Sequence, residues 1–300
     1  MGSRILVTGA TGTVGGALIA RLLSDPRATG HTLLATARSE AQRRAFAAKG
    51  VECVVFDYRD PNTVRACMAG VDRLFLCTGY TVDMLVHARL ALDAARDAGV
   101  RQVVHLGALG PRDSHLPHFV WHDYVEAYME RLGLPHTELR PRAFMQNVLA
   151  TLRPGSLQLR HYHGDSPVGW IDVDDIASVA AEALLDPARH AGRTYPLCED
   201  ALDMEGVAAV LARESGLPYI AQSRSADQLL PALLKSGMEP VYAASLAAGT
   251  AAGAGGEGED ASTVHGTVLK VTGRAGTRWP EFARKNLERL RQGVPAAPQH

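Results

Sequence analysis

Three glycines near the N-terminus, Gly9, Gly12 and Gly15, are spaced as in turns that bind the phosphates of a dinucleotide. They follow an apolar run at residues 4–7 and open a helical pattern at residues 16–23, a context that sets the motif apart from an ordinary turn. The first glycine permits the tight turn, the second lets the backbone approach the pyrophosphate, and the third allows close packing of helix and sheet. The predicted phosphate-binding residues are Gly9, Thr11, Gly12, Thr13, Val14 and Gly15. The alternative interpretation is a structural turn that holds no ligand.

The end of the second predicted strand bears on which form of the dinucleotide is bound. NAD-binding proteins usually place an acidic side chain there for the ribose 2′-hydroxyl, whereas this chain has Arg38. A guanidinium pairs well with a 2′-phosphate, so the sequence predicts NADPH, with NADH as the alternative. In the alternative interpretation Arg38 is a solvated charge and Glu40 reaches the ribose.

Further cofactor contacts are expected after the next two strands. Asp57 and Tyr58 follow the third strand, where they would contact the adenine, although Asp57 could also serve as a helix cap. Cys77 and Thr78 come at the end of the fourth strand and are predicted to line the same site.

Short apolar runs alternate with amphipathic helical patterns along the first half of the chain. The predicted strands lie at residues 4–7, 31–35, 53–56, 74–77, 102–106 and 136–139. Their apolar residues do not alternate with polar ones, as in strands covered by helices on both faces. This β-α alternation predicts an α/β fold with a Rossmann-type doubly wound parallel sheet. Further along, an alanine- and glycine-rich run at residues 247–262 predicts a mobile loop or part of a lid.

The composition of the 300 residues argues against several classes of partner. Lysine and arginine number 31 against 32 aspartates and glutamates, for a formal charge of -1, and the basic residues are dispersed. We therefore expect neither nucleic acid nor an anionic membrane as a partner. The four cysteines form no Cys-x-x-Cys pair, which predicts reduced, buried thiols rather than disulfides or a metal site. Because the first strand begins near Arg4, the sequence predicts no signal peptide and a cytoplasmic protein.

Several segments together resemble the NmrA-like branch of the atypical short-chain dehydrogenases/reductases. They are residues 8–15, 122–126, 133–141, 144–147, 172–177, 271–274 and 281–284. The resemblance spans nearly the whole chain. It implies a dinucleotide-binding domain over residues 1–150 and a smaller, mostly substrate-binding part over residues 151–300, with segments that return to the main sheet. The nicotinamide is expected in the cleft between the two parts.

The chain departs from ordinary short-chain dehydrogenases at the proton-donating pair. Those enzymes use a tyrosine whose pKa is lowered by a lysine four residues later, and this chain has His118 and His122 at these places. The fifth strand is followed by Gly107 and Ala108, without the usual serine. Carbonyl chemistry that needs a strong acid is therefore disfavoured. Quinones, whose reduction gives a stable phenolate, suit such a site better.

Several residues are expected to line the pocket for a flat substrate. His122 is the predicted catalytic residue, which would hold the nicotinamide ribose or supply a proton at neutral pH, with a surface histidine as the alternative. Phe144 is expected to flank the nicotinamide, and core packing is its alternative role. The predicted substrate contacts are Gly107, Ala108, Asn147, His161 and Trp170. Trp170 would stack on the substrate or fill the core, and core packing is favoured. His161 and His163 share a strand face, yet no third ligand follows at a suitable spacing, so no metal site is predicted.

Two functions from different classes remain open. In the first, the protein is an NADPH-dependent reductase for a quinone or a polycyclic aromatic polyketide, which works without flavin or metal. The resemblance to tailoring enzymes of polyketide pathways implies that the reduced product could react with oxygen directly and become hydroxylated. In the second, the protein binds NADP(H) as a redox sensor and regulates a partner without turnover. The expected partners are a small aromatic substrate and either a second copy of the chain or another pathway enzyme.

Overall fold

Strands and helices alternate from the N-terminus, as the apolar runs predict. The structure, a computed structural model, describes residues 2–111, 113–153, 156–254 and 262–292. Its strands are β1 (Arg4–Val7), β2 (Thr32–Ala37), β3 (Glu52–Val55), β4 (Arg73–Leu76), β5 (Gln102–Leu106), β6 (His136–Pro141), β7 (Ala143–Phe144), β8 (Gln158–His161), β9 (Val168–Ile171), β10 (Arg193–Leu197), β11 (Asp200–Leu202) and β12 (Ile220–Ser223).

The helices cover both faces of the main sheet and pack against the small sheets of the second half of the chain. They are α1 (Thr13–Ser24), α2 (Glu40–Ala47), α3 (Pro61–Met68), α4 (Met84–Asp97), α5 (Pro117–Arg131), α6 (Met145–Thr151), α7 (Val173–Leu185), α8 (Pro187–His190), α9 (Met204–Ser215), α10 (Leu229–Lys235), α11 (Pro240–Ala254), α12 (Thr267–Thr272), α13 (Trp279–Lys285) and α14 (Leu287–Gln292). Short 3-10 turns lie at Pro26–Ala28 and Ala226–Gln228.

Seven parallel strands form the main sheet, in the order β10-β6-β5-β4-β1-β2-β3. The strand order reverses at β1, because β2 lies on one side of it and β4 on the other. In open α/β sheets, ligands bind beyond the carboxyl ends of the strands at such a switch point. The doubly wound α/β fold is therefore confirmed, and its switch point lies directly below the three glycines.

Successive residues of β1 show how the two faces of the sheet are covered. Ile5 and Val7 belong to the core that includes apolar residues of α1 and α7. Leu6 belongs to the opposite core, which includes residues of α3, α4 and α5. All three side chains are fully buried. The unbroken apolar pattern of the strand thus follows from helices on both faces.

The second half of the chain builds two small sheets and also completes the main one. Strands β7, β9 and β11 form a three-stranded sheet, and β8 pairs with β12. A third core joins them, with Trp170, Trp279 and Phe282 at its centre. Strand β10 extends the main sheet, and α7 packs against α1. A boundary at residue 150 between a cofactor part and a substrate part stays a prediction.

Two helices differ from the sequence expectations. The helical pattern predicts a helix that starts at about residue 123, whereas α5 begins at Pro117, because proline is favoured in the first turn. His118 therefore lies in the first turn of α5 and His122 in the second. Helix α11 continues to Ala254, so the expectation of a loop from residue 247 is wrong for this stretch. Alanine is the best helix former and offsets the glycines, and α11 also packs against α5. Residues 255–261 of that run lie outside the described residues.

Candidate functional site

The glycine loop leaves the N-terminus of α1 open toward the carboxyl edge of the sheet. Gly9 has a φ of 64°, which favours glycine, and a Cβ on Gly15 would lie 2.3 Å from the Gly9 carbonyl oxygen. Gly12 is the N-cap of α1, and neither a side-chain cap nor an acidic residue occupies the first turn. Thr11, Gly12 and Thr13 are exposed. The loop is therefore shaped to present backbone amides to an anion.

Hydrogen bonds tie the ends of β1, β3 and β4 to one another. The Thr8 hydroxyl donates to the Phe75 carbonyl at 2.9 Å and accepts from the Cys77 amide at 2.8 Å. The Tyr58 hydroxyl donates to the Cys77 carbonyl at 3.2 Å, while its ring stacks on His87 with 4.9 Å between centroids. Burial raises the pKa of the Cys77 thiol to about 11, so the thiol is neutral. The structure thus brings Tyr58, Cys77 and the adjoining Thr78 to the edge that the glycine loop occupies.

The acidic residues near Arg38 already have arginine partners. Glu40 forms an ion pair with Arg43. Asp57 accepts hydrogen bonds from Arg59, which lowers the pKa of that carboxyl to about 2. Arg38 is exposed at the end of β2, and its guanidinium forms no ion pair with any residue that the structure describes. This arrangement favours Arg38 over Glu40 as the residue that meets the ribose substituent. The nearby helix α3 is capped by Asp60 rather than Asp57.

A buried layer of polar side chains lies between α5 and strands β5 and β6. His105 Nδ1 lies 2.8 Å from Glu138 Oε2, and His105 Nε2 lies 3.4 Å from His122 Nδ1. One turn along α5, Glu126 forms a bidentate ion pair with Arg140, whose Nε donates to Glu126 Oε1 at 2.9 Å. These five residues are each at most 8% exposed. His122 is therefore a buried side chain, and its alternative role as a surface histidine is wrong.

Burial determines the protonation of the two histidines on α5. It lowers the pKa of His122 well below that of an ordinary imidazole, and His105, His118 and Arg140 lower it further. Burial also lowers the pKa of His118 to about 4. Both rings are therefore neutral near pH 7. The expectation that His122 itself titrates at neutral pH is wrong, because imidazolium is too poorly solvated at this position.

Three aromatic rings, Tyr80, His118 and Tyr242, form what we call the aromatic wall at the mouth of the site. Tyr80 and Tyr242 stack with 4.5 Å between centroids at 14°, and His118 meets Tyr242 edge-on at 5.4 Å. Tyr80 is 53% exposed, whereas Tyr242 is buried. The His118 amide donates to the Ser245 hydroxyl at 3.1 Å, which fixes α11 against α5. Sequence reasoning missed Tyr80, although its place shortly after β4 puts it at the binding edge.

The predicted substrate contacts do not all come together. Gly107 lies beside the polar layer, since a Cβ there would be 3.4 Å from Glu126 Oε1 and 3.6 Å from His105 Cε1. Ala108 follows it, half-buried, and Asn147 is exposed on α6. Phe144 is half-buried against the core of the main sheet. No hydrogen bond or ring contact described for these residues joins them directly to His122.

Two further predicted contacts lie in the second half of the chain. Trp170 is 3% exposed, donates to the Leu202 carbonyl at 3.0 Å and meets Trp279 edge-on at 5.3 Å. This position corrects the substrate assignment and favours core packing, because neither face of the ring is open. His161 is 5% exposed on β8, and neither of its ring nitrogens has a hydrogen-bond partner among the described residues.

One group of side chains has the composition of a metal site. His105, Glu126 and Glu138 place one ligand atom each within 4.8 Å of one another. However, Arg140 engages both oxygens of Glu126, and His105 contacts Glu138 directly. A cation would have to displace the Arg140 guanidinium. We therefore interpret these three side chains as part of a hydrogen-bonded network. In the described part of the chain, no helix combines the length and apolar character that a membrane span requires.

Comparison with known proteins places this geometry in a family. The model of the NmrA-like family matches residues 1–249. The chain belongs to the NmrA-like family. Among its relatives, an NAD(P)H azoreductase from Xenophilus azovorans is 32% identical over 292 residues, which cover 93% of this chain and 96% of that protein.

Two solved structures extend the likeness of this NmrA-like protein. Citrobacter sp. triphenylmethane reductase complexed with NADP(H) has a TM-score of 0.76 at 25% identity and covers 94% of this chain and 99% of its own. Quinone oxidoreductase QOR2 from Escherichia coli, complexed with NADPH, has a TM-score of 0.78 at 27% identity, with coverage of 94% and 99%. Two of these relatives are reductases by name and the third is a quinone oxidoreductase, and both solved structures hold the phosphorylated dinucleotide.

Proposed function

We propose that this NmrA-like protein is an NADPH-dependent reductase that transfers hydride to a flat aromatic acceptor, a quinone or a dye. The observation that carries the proposal is the open N-terminus of α1 at the switch point, beside an aromatic wall. The residues present fit NADPH: a Cβ at Gly15 would fill the loop, and Arg38 is available to a 2′-phosphate. When bound, NADPH supplies the hydride from its nicotinamide ring. The names of the relatives support this class of reaction.

The protein's own residues contribute position more than acidity. The exposed ring of Tyr80 offers a flat acceptor a stacking surface that Tyr242 supports from behind. Nδ1 of His118 is buried and has no hydrogen-bond partner among the described residues, so it is available to a polar atom of the acceptor. A site that aligns the reacting groups can gain several kcal/mol without a strong acid. Quinones and dyes suit a site that contributes alignment more than acidity, because their reduced forms are stable.

The proposal extends to a specific substrate, to the fate of the product and to a protein partner. A polycyclic polyketide quinone is the substrate that the family resemblance favours, with direct reaction of its reduced form with oxygen as the route to hydroxylation. A second copy of the chain or another pathway enzyme is the corresponding protein partner. The flat rings of the aromatic wall support the substrate class, and the remaining assignments depend on the resemblance alone.

Purified protein should oxidise NADPH only when an acceptor is supplied, in a chelator and without added flavin. Naphthoquinone, anthraquinone and triphenylmethane dye acceptors are tested in the absence of oxygen by loss of NADPH absorbance. Tyr80→Ala should raise KM for the acceptor by about 10-fold through lost stacking, while Tyr80→Phe stays near wild type. Tyr124→Ala, which removes a tyrosine that is 61% exposed in the middle of α5 beside residues of α4, is the matched control. No NADPH oxidation with any acceptor would instead favour the sensor function.

Arg38→Ala should weaken NADPH binding by about 1.5–3 kcal/mol and leave NADH binding nearly unchanged. This is the range for a hydrogen bond to a charged group, and NADH lacks the 2′-phosphate. Titration calorimetry with both dinucleotides is the measurement. Arg44→Ala is the control, because Arg44 is also exposed and lies on α2, six residues after Arg38. Equal losses for both dinucleotides would show that Arg38 does not read the 2′-phosphate.

A further inference from the structure

A continuous row of side chains leads from the middle of the sheet to the aromatic wall, and the proposed reductase uses only its outer end. The row consists of Glu138, His105, His122 and His118. Glu138 and His105 are cross-strand partners on β6 and β5, 3% and 0% exposed. Between His122 and His118 the ring centroids are 5.4 Å apart. The row is buried at its inner end and reaches the wall at His118.

Burying polar groups at this depth costs free energy unless they are hydrogen-bonded. The partners along the row therefore determine which ring nitrogens carry protons. Glu138 Oε2 lies against His105 Nδ1, which therefore carries a proton that it donates to the carboxylate. The opposite nitrogen of His105 faces His122 Nδ1. A single proton between His105 Nε2 and His122 Nδ1 gives both nitrogens a hydrogen-bond partner. It can lie on His105, whose positive charge Glu138 then balances, or on His122.

We propose that the Glu138–His105 pair stores the proton that a reduced acceptor needs and delivers it through His122 toward the aromatic wall. The proposal rests on the reductase function. A quinone that gains a hydride from NADPH carries one extra negative charge on oxygen. That oxygen takes a proton from the outer nitrogen of His122, directly or by way of His118. The proton on His105 Nε2 moves to His122 Nδ1, and His105 is left neutral and bonded to Glu138. Solvent restores the proton before the next turnover.

The other charged groups around the row do not supply this proton. Arg140 is occupied by Glu126 and lies 3.7 Å from Asp123. His136 Nε2 lies 3.7 Å from Glu138 Oε1, on the side away from His122. Because the Glu126–Arg140 pair is neutral overall, Glu138 is left as the carboxylate that balances a charged His105. Glu138 and His105 are thus positioning residues that act through His122.

A neutral acceptor and a cationic acceptor together separate proton delivery from hydride transfer. A naphthoquinone that accepts hydride becomes an anion and requires a proton. A cationic triphenylmethane dye that accepts hydride becomes neutral and requires none. Both acceptors use the same bound NADPH, so a defect in folding or in cofactor binding slows both reactions. A defect in the row slows the naphthoquinone alone.

Glu138→Gln should lower kcat for the naphthoquinone by on the order of 10²-fold, the lower range for general acid catalysis, and change kcat for the dye by less than about twofold. Glu199→Gln is the matched control, since Glu199 is a carboxylate that is 4% exposed and accepts from the Val268 amide at 3.0 Å, far along the chain from the row. It should leave the ratio of the two rates unchanged. Wild-type enzyme in deuterium oxide should show a solvent isotope effect with the naphthoquinone and none with the dye.

A measurement on the cofactor-free protein completes the test. The His105 Nδ1 proton should give a far-downfield NMR resonance that disappears in Glu138→Gln and persists in Glu199→Gln. Equal losses of rate with both acceptors, or no isotope effect with the naphthoquinone, overturn the relay and leave the reductase function intact. Reduction of the dye alone by wild type also overturns the relay. Failure of wild type to reduce either acceptor overturns the reductase function itself, and the relay with it.

Discussion

Gly12→Asp should weaken NADPH binding by at least about 100-fold and leave the fold intact. Gly12 has φ -85° and ψ 178°, an extended conformation that any residue adopts, it is exposed, and a Cβ there would lie 3.2 Å from the Gly9 carbonyl oxygen, so only a small shift of the loop is needed. The new carboxylate would accept hydrogen bonds from the first amides of α1, a cap worth about 0.5–2 kcal/mol. Those same amides are then lost to the pyrophosphate, and the added charge repels it. We expect a loss of about 3 kcal/mol or more in binding, roughly 100-fold.

Two variants show whether charge or bulk is responsible. Gly12→Asn has nearly the same shape and should lose less affinity, because its amide is neutral. Gly16→Ala adds a methyl group in the same helix, 3.5 Å from the Ala10 carbonyl, which is an ordinary contact, and should bind NADPH normally. Calorimetry measures the affinities and thermal unfolding the stabilities. Affinity within about tenfold of wild type for Gly12→Asp would remove the glycine loop from the site.

Arg140→Met should destabilise the fold by about 3–5 kcal/mol, the usual cost of leaving one partner of a buried ion pair alone. Arg140 and Glu126 are 7% and 8% exposed, and Glu138 adds a second carboxylate nearby. Burial raises the pKa of Glu126, and hydrogen bonding to Arg140 lowers it again. Without the guanidinium, the pKa of Glu126 in the folded state should rise further. Urea unfolding near neutral pH measures the loss.

The pH dependence distinguishes this cause from a simple packing defect. A carboxyl group whose pKa is higher in the folded than in the unfolded state binds its proton more tightly when folded. The variant should therefore regain stability relative to wild type as the pH falls from about 7 to about 5. Adding Glu126→Leu removes the unpaired charge and should restore most of the stability at neutral pH. A deficit of Arg140→Met that stays the same at both pH values would contradict the assignment.

Local pattern was sufficient to predict the fold and the glycine turn that opens α1. Strand β1 and helix α1 could be predicted from a short apolar run, three glycines and an amphipathic stretch. A strand that is covered on both faces is apolar along its whole length, and the hydrogen bonds of a helix join residues close in sequence. The replacement of the ordinary tyrosine and lysine by His118 and His122 was likewise visible in the sequence. Polar residues inside the otherwise apolar strands β5 and β6, His105 and Glu138, were a signal of a buried network that the sequence reasoning did not use.

Only the tertiary structure decided what the histidines can do. His122 is neutral because 17 residues of chain bring it back onto His105 and because α5 covers both rings. The aromatic wall unites Tyr80 with Tyr242, which no period along the sequence connects. Burial and contact between distant residues set the pKa values and the available ring faces, and these depend on how the helices pack. The sequence by itself therefore determined the fold class and the glycine turn that opens α1, whereas packing alone determined the protonation of the buried histidines and the aromatic surface that we propose meets the acceptor.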